Sequence, residues 1–192
     1  MWVDKGRDHR FLLMIYREDT MIILETEHLL FRPLTLSDLD DLTVLYADPE
    51  VMRYLGGPRN RSEVQFVLNR YIQEYQMYGR SFFATVLKGE QRFIGHCGLL
   101  NQEVEGQPEV ELGYVLAPLY WQRGLALEGT RALKDYGLKQ LGFPRVISLI
   151  APGNDASMHI AEQIGMRYER DVDQWGQRFR LYAVYQPEQA RA

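Results

Sequence analysis

Between residues 80 and 118 the chain passes through three short extended stretches, RSFFATVLK, QRFIGHCGLL and EVELGYVLAP, separated by the turn signals GE and EVEGQP. Apolar runs of this length, rich in aromatic and β-branched residues and punctuated by glycine, pair in succession. They predict a three-stranded antiparallel meander. A meander buries its apolar faces only if something covers them, and the flanking sequence supplies the cover. Upstream, HLLFRPL reads as a first strand, Ser37 caps the helical pattern DLDDLTVLYA, and Ser62 with Glu63 opens a second helix through VQFVLNRYIQEYQMYG. Downstream come a helix over 124–140, the strand RVISLIA, a helix from Asn154 to Ile164, and two last strands, MRYERDV and QRFRLYAVY. The fold class is therefore α/β (α+β), with about seven strands and about four helices in one domain over residues 21–188. Met21 is a second possible start, and residues 1–20 read as an N-terminal extension to which no chemistry is assigned.

The charges limit the partners. Lys and Arg number 22 against 26 Asp and Glu, a net charge of −4, and the basic residues are interspersed, so no nucleic-acid-binding stripe exists. FLLMIY is only six apolar residues, too short for a membrane span or a signal-peptide core. No membrane association is expected. The single Cys97 rules out an internal disulfide and fits a reducing, cytoplasmic compartment. His9, His28, His96 and His159 have no ligand spacing, and no metal site is expected.

The third meander strand runs straight into a turn, LYWQRG, and then a helix. The first four N–H groups of a helix lack partners inside it, and the helix dipole adds roughly half a positive charge there. An anion brought to this point needs a close backbone approach, which Gly124 and Ala126 permit, and Arg123 can add a charge-assisted contact. A glycine at a strand-to-helix turn equally serves helices that bind nothing. No Walker sequence or dinucleotide fingerprint is present.

ELGYVLAPLYWQRGLALEG resembles motif A of the GNAT superfamily of N-acetyltransferases. It resembles in particular the branch of ribosomal-protein N-acetyltransferases, with its E-aliphatic-G-Y strand and YWGKGYATEA-like turn. The superfamily signature is Gln or Arg, two residues, Gly, one residue, then Gly or Ala. Here Trp121, Gly124 and Ala126 occupy those positions, the tryptophan departing from the superfamily and matching the branch. The resemblance runs from Ile23 to Tyr185. It implies the GNAT fold, a mixed, mostly antiparallel sheet splayed in the middle, and acetyl-CoA as co-substrate. The cofactor pyrophosphate would lie on the amides of Gln122, Arg123, Gly124, Leu125 and Ala126, and its pantetheine arm would pair near Val115 and Leu116. The acceptor would be a primary amine, on a protein N-terminus or a small molecule, in a cleft lined by segments carrying Tyr54, Phe82 and Phe83. The loop LGGPRNRS, with Arg59 and Arg61, would shape that cleft, and its charges suit either an anionic group or solvent. A monomer or a homodimer is compatible with it.

NDASMHIAEQIGM is similar to the family's NxxS segment, in which Asn154 contacts the cofactor and Ser157 lies near its sulfur. Capping alone would also explain Asn154, and a backbone carbonyl could equally partner Ser157. The tyrosine that many relatives use as general acid is replaced by Ala161, which leaves Ser157 to stabilise the thiolate. By the same resemblance Glu111 is the general base, directly or through water; on alternation alone it shares a polar strand face with Glu109 and Gly113. A backbone N–H at Val115 or Leu116 would meet the acyl oxygen. Direct attack in a ternary complex is expected, because His96 and Cys97 are adjacent on a strand, point to opposite faces and cannot form a dyad. The alternative is a CoA-binding regulatory module that keeps the turn and lacks the chemistry.

Overall fold

The computed structural model describes residues 16–17 and 20–186, so most of the N-terminal extension lies outside the described residues. Eight strands form one sheet: β1 (Leu24–Glu25), β2 (Leu29–Pro33), β3 (Phe82–Leu87), β4 (Arg92–Val104), β5 (Gln107–Leu116), β6 (Arg145–Ile150), β7 (Arg167–Gln174) and β8 (Gln177–Tyr185). Their order is β1-β2-β3-β4-β5-β6-β8-β7. The predicted meander is β3-β4-β5, paired antiparallel throughout. Four α-helices accompany the sheet: α1 (Leu39–Ala47), α2 (Arg61–Tyr78), α3 (Leu125–Asp135) and α4 (Asp155–Gln163). Within this sheet, the strand missing from the sequence reading is β1, two residues long and so without a readable period.

Alternation along β4 and β5 assigns the faces. Cys97, Leu99, Leu112 and Leu116 pack with Leu125 and Leu133 of α3 and with Met158 and Ala161 of α4. Leu100 and Val115 pack on the other face with Leu42 and Leu45 of α1 and Leu68 and Tyr71 of α2. His96 and Cys97 therefore do lie on opposite sides, His96 against Tyr46 of α1 and Cys97 in the α3–α4 core.

Two helix starts differ from the reading. Ahead of α1 a 3₁₀ turn, Leu36–Asp38, carries the capping pair Thr35 and Asp38: the Asp38 carboxylate accepts the Thr35 amide at 2.8 Å and two bonds from Arg32, at 2.8 and 2.6 Å. At α2 the cap is Asn60, whose Oδ1 accepts the amides of Ser62 and Glu63 while Glu63 accepts the Asn60 amide. Asn and Asp fill these roles as readily as Ser does, and tertiary partners such as Arg32 decide between neighbours.

One junction departs from regular pairing. β5 and β6 are parallel and bridge only at Glu111 with Ile147, although β5 continues for five residues beyond. The sheet opens there, in the middle, as the GNAT resemblance implies.

Candidate active site

The opening has a definite chemical edge. In the β4–β5 ladder the Ala117 amide donates to Ile94 O at 2.9 Å, so Ala117, Val115 and Gly113 turn their polar backbone groups toward β4, and Leu116, Tyr114 and Leu112 turn theirs into the gap. Two of the gap-facing carbonyls are taken. Ser148 Oγ donates to Leu112 O and Trp121 Nε1 to Leu116 O, each at 2.7 Å. This leaves the Tyr114 N–H and C=O and the Leu116 N–H along the edge. Val115, named from the sequence as a backbone contact, faces the wrong way for it; its side chain is buried under α1 and α2.

The edge leads into the turn before α3. Gln122 has φ 56° and Gly124 φ 77°, both left-handed, with Arg123 between them. Alternation of this kind aims successive amides into one concavity that suits an anion. The Glu128 amide is the first to find an acceptor, Gly124 O at 2.9 Å; among the described residues those of Gln122 to Leu127 have none. A Cβ on Gly124 would meet nothing within 4 Å, so its backbone conformation, not internal crowding, requires glycine there. Arg123 lies 5.4 Å from the Tyr120 ring centroid, and Leu125 turns inward to the core. Trp121, which looked misplaced in a phosphate turn, ties that turn to the end of β5 through its indole N–H.

Across the gap, α4 begins at Asn154, whose Oδ1 accepts the Ser157 amide at 3.3 Å. Asn154 is an N-cap, as its sequence position alone allows. Ser157 Oγ lies 3.0 Å from the Tyr114 hydroxyl. Sequence reasoning missed Tyr114, although alternation places it on the α4 face. Burial raises the Tyr114 pKa, so its hydroxyl stays protonated.

On the opposite face, Glu111 Oε2 accepts from Gln102 Nε2 at 2.8 Å, and the nearby Leu149 backbone also favours its charged form. Desolvation dominates over these contacts and over the Arg70 cation, and it raises the Glu111 pKa to about 7. Glu111 is half-buried, not a carboxylate on a fully solvated face. Nearby, the Phe82 ring lies 4.4 Å from His96 and 5.0 Å from Tyr71. A Cβ on Gly113 would come within 2.9 Å of Phe82 Cζ, so this strand glycine is what leaves room for the ring. Tyr54 donates to Gly153 O at 2.8 Å, joining the loop before α2 to the loop before α4. Phe83 is a correction: it is fully buried in the α3–α4 core, because neighbours on a strand face opposite ways, and it lines no cleft.

Residues 28–167 match the acetyltransferase (GNAT) domain family. The chain is 34% identical over 150 residues to the uncharacterized protein YkkB of Bacillus subtilis, covering 77% of this chain and 87% of that one. Its fold is similar to a crystal structure of a GNAT-family acetyltransferase from Bacillus anthracis, with TM-score 0.72 and 26% identity over 86% of this chain and 98% of that one. At the level of fold alone it is similar to the ribosomal L7/L12 α-N-protein acetyltransferase RimL in complex with coenzyme A, with TM-score 0.73 and 17% identity over 86% of this chain and 98% of that one. The chain belongs to the GNAT acetyltransferase family. It is an acetyl-CoA-dependent N-acetyltransferase.

Proposed function

We propose that this enzyme, within residues 21–188, acetylates a primary amine of low basicity, such as a protein N-terminal or other α-amine, by direct attack in a ternary complex. The observation that carries the reading is the run of amides without protein acceptors from Gln122 to Leu127, continuous with the open edge of β5. Those donors fit a pyrophosphate, and the Tyr114 and Leu116 edge groups fit the amides of a pantetheine arm. Asn154 keeps its side-chain N–H₂ for the cofactor while its oxygen caps α4.

Acetyl-CoA supplies an activated acyl group whose thiolate, with a pKa near about 8.5, needs only modest help on leaving. The chain's own groups provide that help. Tyr114 O–H would donate to Ser157, and Ser157 O–H, polarised by it, would be the donor to the leaving thiolate. The Leu116 N–H is the donor for the acyl oxygen; Val115, committed to β4, is not.

Glu111 takes the amine proton. A base near 7 deprotonates an α-amine of pKa about 8 at a cost of about 1.4 kcal/mol, but a lysine-like amine of pKa about 10.4 at about 4.6 kcal/mol. This difference favours the α-amine. Tyr54 and Phe82 border the acceptor path.

Isothermal titration with acetyl-CoA, followed by a free-thiol assay with N-terminal peptides and small amines, tests the reading. Saturable CoA release that depends on both substrates supports it. Tight binding with no turnover on any amine would replace it with the regulatory module.

A further inference from the structure

On the α1–α2 face the approach to Glu111 is positively charged. The Arg59 guanidinium lies 5.6 Å from the ring centroid of Tyr46, whose hydroxyl is 2.7 Å from His96 Nε2, and the Arg70 guanidinium lies 5.8 Å from that of Tyr71. Tyr71 and His96 both contact Phe82, so the two cations rim the aromatic floor beside which Glu111 sits. Arg70 also shares a surface hollow with Gln102, the residue that donates to Glu111.

Among the described residues neither arginine has a carboxylate within salt-bridge distance, whereas Arg32 and Arg61 do. Of the nearby acids, Asp38 and Asp40 are paired with Arg32 and Arg61, while Asp48, Glu63 and Glu74 accept from neutral amides of Glu50, Asn60 and Asn101 and keep their charge. Arg61, paired with Asp40, drops out of the charges that the sequence offered.

We infer that the acceptor is an amine bearing an anionic group close to its nitrogen, held by Arg59 and Arg70 while the nitrogen faces Glu111. The inference rests on the acetyl-transfer reading above. A polyamine would bring further ammonium groups against two guanidiniums, with Glu111, Glu63 beside Arg59 and Glu74 beside Arg70 as the carboxylates to receive them. An anionic acceptor exchanges water for charge-assisted bonds to arginines already stacked on aromatic rings. Two sources share this chemistry, a free amino acid with its α-carboxylate and a peptide N-terminus followed by acidic side chains.

The test measures CoA release, expressed per neutral amine, with spermidine, alanine, alaninamide, and a tetrapeptide with Glu at positions two and three beside its Gln counterpart. At least one anionic acceptor, the amino acid or the acidic peptide, exceeds its neutral counterpart in kcat/KM by about tenfold, the factor for one charge-assisted contact. Which one does so identifies the source. In R59A/R70A that ratio falls toward one, in R70K much of it persists, and in R167A, altered at an exposed β7 arginine, it is unchanged. Spermidine or a neutral acceptor used as well as its anionic counterpart overturns the inference, as does an unchanged ratio in R59A/R70A. Acetyl-CoA binding without release on any acceptor overturns the acetyl-transfer reading instead.

Discussion

Glu111→Gln separates burial from chemistry in one substitution. The carboxyl titrates near 7 in the folded protein against an ordinary 4.5, so the ionised form is about 3 kcal/mol more costly folded than unfolded. Because the folded pKa is the higher one, the folded state holds the extra proton between these values, and stability falls as pH rises. The cost is absent below about 4.5 and complete above about 7. Glutamine keeps an acceptor for Gln102 and cannot ionise, so the variant gains on the wild type by up to about 3 kcal/mol between pH 5 and 8. Urea melts across that range read the difference. Activity runs the other way. The wild-type kcat/KM rises through an ascending limb near pH 7, and the variant loses that limb together with roughly 10²-fold or more of its rate. A stability difference independent of pH refutes the desolvated carboxyl, and a limb that survives in the variant refutes the base.

Gly124→Ala forces a left-handed backbone on alanine, at about 1–2 kcal/mol, and sets a methyl beside the open amides; calorimetry should show acetyl-CoA binding weakened by at least about tenfold, and unchanged affinity refutes the turn as the anion site. Ser157→Ala combined with Tyr114→Phe should lower kcat about tenfold, the loss of one hydrogen bond to a charged group, with little change in acetyl-CoA affinity; a wild-type kcat removes the pair from the leaving group. Tyr46→Phe leaves buried His96 Nε2 without its partner and should cost about 1–3 kcal/mol in denaturant melts. Burial lowers the His96 pKa to about 3, so that loss should be equal at pH 6 and pH 8, and a loss that changes between them refutes a neutral His96.

Period and punctuation carried the elements. β8 begins and ends where QRFRLYAVY does, and the β4–β5 turn falls on Glu105–Gly106, where two left-handed residues close the hairpin. The turn before α3 was legible because Gly124 is a conformational requirement, and such requirements are written in residue type. Tyr114 with Ser157, 43 residues apart, and Gln102 with Glu111 were not legible, since each pair depends on which faces meet after folding. Alternation supplied half of that information: it separates Phe82 from Phe83 without saying which of them faces the cleft. Capping was legible as a neighbourhood, and the choice of Asn60 over Ser62 depended on Glu63 reaching back to its amide.

The point at which β5 and β6 part also sets how the base acts. At Glu111 the strands still bridge, and the β6 backbone at Leu149 helps close over its carboxyl; this is why the group is dry enough to titrate near 7. Three residues on, at Tyr114, the edge is open and its polar groups can take a ligand. At about 3.3 Å per residue the two lie about 10 Å apart along the strand. Their side chains also leave by opposite faces, Glu111 toward α2 and Tyr114 toward α4. A carboxylate cannot be both closed in by the bridge and in contact with an acyl group held beyond it. In the mechanism proposed above, the amine proton would therefore reach Glu111 through an intervening water beside Gln102 and the exposed part of the carboxylate. A strand that parted two residues earlier would bring the base closer to the acyl group and return it to an ordinary carboxylate pKa, which is too low for the task.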